Sequence, residues 1–132
     1  MTVTNSPFLR ATLIADAVMG FAAAAITIFG AELLSAWLAL PEGLLFWAGI
    51  ALVPIAAFLL MMAFRPEIPR SWLREIVFIN ASWTVASLGI LLFGLVQPNM
   101  LGAAFVIVQG GAVGAFAWLE AIPLRRPDTV AA

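Results

Sequence analysis

The chain has 132 residues, of which 64% are hydrophobic and only 10% charged, with a mean hydropathy of +1.12 and a formal net charge of −1. One small soluble core cannot hide that much apolar surface, so bilayer hydrocarbon is the expected solvent and a soluble module is excluded. Cys, His, Lys and Tyr are absent, which removes thiolate chemistry, the commonest metal ligand and general base, and Schiff-base cofactors, and the scattered Arg residues make no nucleic-acid footprint.

The pattern predicts an all-α integral membrane protein, one membrane domain over 1–132, built as a four-transmembrane-helix bundle. The spans fall at about 8–29, 44–64, 72–95 and 100–122, each long enough for the roughly 20 residues a helix needs to cross hydrocarbon. Ser6-Pro7 opens the first span with a cap and a residue that needs no N–H partner. The stretch is too long for a signal-peptide core and carries Asp16, so it reads as a retained span. After it, the apolar but short run from Ala31 to Leu38 predicts an interfacial helix. Pro54 falls in mid-span two and predicts a kink, while Arg65-Pro66 and Pro69 end that helix. Ser71 opens the third span and Pro98-Asn99 the fourth, which Pro123 terminates. Residues 127–132 read as a short disordered tail.

Arginine sets the orientation. Arg10, then Arg65, Arg70 and Arg74, then Arg125 and Arg126 all fall on one side of such a bundle, and the opposite loops carry only Glu32 and Glu42. The positive-inside rule makes both termini cytoplasmic. Trp37 and Trp47 are then expected in the outer aromatic belt, Trp72 and Trp118 in the inner one. An Ala-rich composition with Arg and no Lys suggests a bacterial inner membrane.

Asp16 is the residue that stands out. It lies eight residues beyond Phe8, roughly 12 Å into the membrane at 1.5 Å per residue. A carboxylate there costs at least about 2.5–3.5 kcal/mol, so it should face the bundle, take a partner or carry a proton. Asn80 reaches nearly the same depth in span three, where Asn80, Trp83, Thr84 and Ser87 share one face at i, i+3, i+4, i+7. The expected arrangement is a polar seam between spans one and three, with Asp16 bonded to Asn80 or to the Trp83 indole. In span four Gly110 and Gly114 form a GxxxG face, suited to packing within the chain or against a neighbour. Gln109 needs a hydrogen-bond partner. Glu120, near the inner end, is expected to snorkel and pair with an interfacial Arg.

Two functions follow from these residues. The first is a non-enzymatic accessory or assembly subunit of a membrane complex, packing through span four, with membrane lipid as a partner and no cofactor or metal. The second is a small proton-coupled transporter or channel that uses Asp16 as its titratable group, working as a homo-oligomer. In that reading Asp16 carries protons; in the first it fixes helix register.

Overall fold

The first helix starts as its sequence requires. The Ser6 hydroxyl accepts from the Leu9 N–H at 3.2 Å, and Pro7 takes the first helical position. In the computed structural model, which describes residues 1–125, this helix, α1, runs Pro7–Phe29. It is followed by α2 (Ala31–Leu38), α3 (Glu42–Ala63), α4 (Arg70–Leu92), α5 (Met100–Ala121) and a terminal 3-10 turn at Pro123–Arg125. Of the described residues 81% are helical, and four of these helices are long and apolar enough to cross a membrane. Arg126 and the tail 127–132 lie outside the described residues.

Two short strands were not anticipated, because the sequence reading assigned every ordered segment to helix. β1 (Thr2–Thr4) and β2 (Glu67–Pro69) pair antiparallel, with Thr2 opposite Pro69, Val3 opposite Ile68 and Thr4 opposite Glu67. The pairing continues into Asn5, whose N–H donates to Pro66 O and whose Nδ2 donates to Ala63 O at 2.9 Å and Arg65 O at 2.8 Å. These are carbonyls that the end of α3 leaves without an intrahelical partner. The N-terminal segment therefore acts as the C-cap of a helix that ends almost sixty residues later. Beneath it Leu9, Leu13, Met62, Ile68, Leu73 and Ile76 form a fully buried apolar cluster.

At the other end α4 stops at Leu92, three residues short of the expected 95. Gly94 adopts a left-handed φ of 67°, and the N–H groups of Gly94 and Leu95 turn back to Leu91 O and Ile90 O, the Schellman pattern that ends helices at glycine. Asn99 then makes two junctions at once. Its side-chain oxygen caps α5 at Gly102 N–H, its Nδ2 donates to Trp37 O, and its own N–H donates to Leu38 O at the end of α2. A Cβ on Gly102 would lie 2.1 Å from Leu38 O, so only glycine permits this approach. Pro54 is inside α3, and the helix continues past it.

The long helices form two tight pairs, α1 with α3 and α4 with α5, while contacts between the pairs are sparse apart from α1 against α5. Gly49 sets the first pair: its Cβ would fall 2.3 Å from Thr27 Oγ1. Gly110 and Gly114 set the second: a Cβ on either would lie 3.2 Å from Ser87 Cβ or Thr84 Oγ1, closer than ordinary packing. Arg10, Arg65, Arg70, Arg74 and Arg125 gather at the ribbon end, where an Arg70 nitrogen donates to Leu124 O. Glu32 and Glu42 lie together at the opposite end.

Candidate functional site: a buried carboxyl pair bridged by an amide

Three helices bring one polar side chain each to a common level. Asp16 on α1 lies six residues beyond Arg10, Asn80 on α4 six beyond Arg74, and Glu120 on α5 five before Arg125. At 1.5 Å per residue these offsets are about 8–9 Å, so the three side chains share one depth below the arginine end. The Asn80 amide donates to Asp16 Oδ2 at 2.8 Å and to Glu120 Oε1 at 2.8 Å. The two carboxyl groups are also within hydrogen-bonding reach of each other. Exposure is 6% for Asp16, 4% for Asn80 and 0% for Glu120, so all three side chains are withdrawn from bulk solvent. Glu120 Oε2 has no hydrogen-bond partner among the described residues.

Glu120 is the residue the sequence reading misplaced. Expected to snorkel toward an Arg, it is fully buried and bonded to Asn80. The cause is that α5 ends at Ala121 while α1, α3 and α4 extend further and carry the ribbon beyond it. A signal was present: Gln109, Val113, Phe116 and Glu120 repeat at i, i+4, i+7, i+11 and so share one stripe.

Of the expected seam between spans one and three, the Asp16–Asn80 bond forms, while the other polar residues of α4 turn to α5. From α1 only Asp16 reaches across; Thr12 and Thr27 bond back to Phe8 O and Ala23 O on their own helix. Trp83, Thr84 and Ser87 face α5. Trp83 Nε1 donates to Gln109 Oε1 at 2.9 Å, Gln109 Nε2 donates to Ser87 Oγ at 2.9 Å, and Thr84 Oγ1 donates to Gly110 O at 2.8 Å. The indole is thus committed to Gln109, and Asp16 takes Asn80. The geometry follows from the close α4–α5 pair, which turns the polar face of α4 onto the glycine side of α5. Gly110 and Gly114 are consequently covered from within the chain.

Between the two helix pairs is a cavity of about 90 Å³. Asp16, Asn80, Trp83 and Gln109 supply its polar groups, and residues such as Ala56 and Val113 its apolar walls. All four long helices contribute to the lining. The arrangement can hold positive charge: two carboxyl groups side by side in a dry interior need a proton or a cation with them, and among the described residues no Arg is a partner of either. Among the described residues no three His, Cys, Asp or Glu side chains gather as a metal site. Comparison with protein families, with curated proteins and with solved structures finds no match to this chain.

Proposed function

We propose that this is a small, non-enzymatic multi-pass protein of a bacterial cytoplasmic membrane that carries protons through the Asp16–Asn80–Glu120 cluster, exchanging them for a cation. The observation that supports it is the second carboxyl. A lone intramembrane carboxyl serves equally well as helix glue, but a buried pair with one shared amide and an adjoining cavity can exchange bound charge. Large exposed apolar side chains along all four helices, including Phe29, Trp47, Phe78 and Val108, suit a lipid surface. The arginine end faces the cytoplasm, with both termini there, and Arg65 over Trp72 and Arg125 over Trp118 suit that interface. The helix after the first span, α2, lies at the outer interface. The sparse packing between the α1–α3 and α4–α5 pairs allows one pair to move against the other, and pairing of two copies supplies the remaining pathway.

An accessory-subunit role is the second reading. The near absence of catalytic side chains favours it, whereas the span-four glycines do not, being already packed against α4.

The test is proton flux in proteoliposomes under an imposed pH gradient, read by a trapped pH dye. Wild type is expected to dissipate the gradient in a cation-dependent manner, and Asp16→Asn and Glu120→Gln, folded by circular dichroism, to abolish this. No flux in wild type, or equal flux in both variants, overturns the carrier reading.

A further inference from the structure

We infer that the cavity beside Asp16 binds a short-chain primary ammonium ion of about ethylammonium size. The inference rests on the carrier reading above and names the chemistry of the cation exchanged. Three observations converge on it.

The first is a shortage of donors. Asp16 and Glu120 present four carboxyl oxygens, and Asn80 supplies two N–H groups, one to each carboxyl. Of the two carboxyls only Asp16 lines the cavity; Glu120 lies outside the lining. A primary ammonium in the cavity brings N–H donors and one positive charge to Asp16, whose carboxyl takes one N–H from the Asn80 amide. A bare alkali cation brings charge without donors, and the surrounding walls are too apolar to rebuild its hydration shell.

The second observation is the wall itself. Above Asp16 the cavity is lined by Leu52, Ile55, Ala56 and Val113, with the Trp83 and Phe116 rings at its side. Hydrocarbon packs against these aliphatic side chains, and an aromatic face attracts a cation that is partly desolvated.

The third is size. An engineered cavity of about 150 Å³ holds benzene, with six heavy atoms. By that measure the space of about 90 Å³ here takes three to four. Ethylammonium has three, and bulky quaternary or aromatic ammonium ions are excluded.

The experiment uses the full chain in detergent at fixed pH and ionic strength, with ethylammonium chloride as the probe and sodium chloride and benzylammonium chloride as comparators. Ethylammonium is expected to raise the melting midpoint saturably and to shift tryptophan emission, with Trp83→Phe removing most of the emission change. Val113→Phe, which fills the cavity and leaves all three polar residues in place, is expected to lose the stabilisation; Asp16→Asn should lose it as well. If Asp16→Asn fails to fold, Val113→Phe still decides the matter. An equal response to sodium, a response to benzylammonium as strong as to ethylammonium, or an undiminished response in Val113→Phe overturns the inference. Failure here with Asp16-dependent proton flux intact rejects the ammonium alone; loss of that flux rejects the carrier reading itself.

Discussion

Among the described residues Asn80 is the only side chain that bonds both carboxyl groups, which makes Asn80→Leu the most informative single change. Leucine keeps the branched shape and removes both donors. In water-soluble proteins two bonds to charged acceptors would be worth about 3–6 kcal/mol at 1.5–3 each. Interhelical bonds within membranes are weaker, averaging about 0.6 and reaching about 1.7 kcal/mol, because the unfolded helices also find partners. Two such bonds give an expected loss of about 1–3 kcal/mol. The Asn80 bonds at 2.8 Å and the 4% exposure of the residue place it toward the upper part of that range. The assay is reversible unfolding in mixed micelles titrated with a denaturing detergent, followed by circular dichroism. A cycle with Asp16→Ala isolates one bond, with an expected coupling of about 0.5–1.7 kcal/mol. A loss below about 0.3 kcal/mol, or a coupling of zero, would refute the view that the amide holds α1 to the α4–α5 pair.

Three further outcomes are expected. Asn5→Ala removes the donor to Ala63 O and Arg65 O; it should cost about 1–3 kcal/mol and speed tryptic cleavage after Arg70, whereas an unchanged digestion rate would show that the segment does not hold α3 closed. Gly49→Leu drives a Cβ to 2.3 Å from Thr27 Oγ1 and should prevent folding, while Gly111→Leu, with nothing within 4 Å, should be neutral to within about 0.5 kcal/mol; harm at Gly111 in native complexes would reveal a partner helix there. Because the chain has no Cys, single cysteines can map topology: an impermeant maleimide should label Gln97→Cys in intact cells and Glu67→Cys only after lysis, and the reverse pattern would invert the assigned orientation.

The long helices were legible because their signals are local. Apolar runs of the right length, Ser6-Pro7 and Pro98-Asn99 at helix starts, and prolines after the second and fourth spans all act within a few residues. The shared depth of Asp16 and Asn80 came from counting along two helices with the same direction. What escaped depends on distant segments. The strand pair needs Thr2 to meet Pro69, and nothing in TVT or EIP alone outweighs the reading of a polar terminus and a proline-broken loop. Glu120 was misread because its depth was measured from the apparent end of its own span, whereas the membrane-facing end of the fold is set by the other helices. The Asp16–Asn80 bond was legible, but Trp83, Thr84 and Ser87 were given the wrong neighbour: an i, i+3, i+4, i+7 face says which residues share a side, and the helix it meets is chosen by the close approach that Gly110 and Gly114 allow.

The Thr2–Pro69 register also dictates an order of events during synthesis. Residues 1–5 are made before residues 62–70, yet their backbone and the Asn5 amide find partners only when that later segment has been made and turned. Until then Thr2–Thr4 is an unpaired strand edge. Its docking ties α1, α3 and the start of α4 together, so the strand before α1 waits for a partner made more than sixty residues after it.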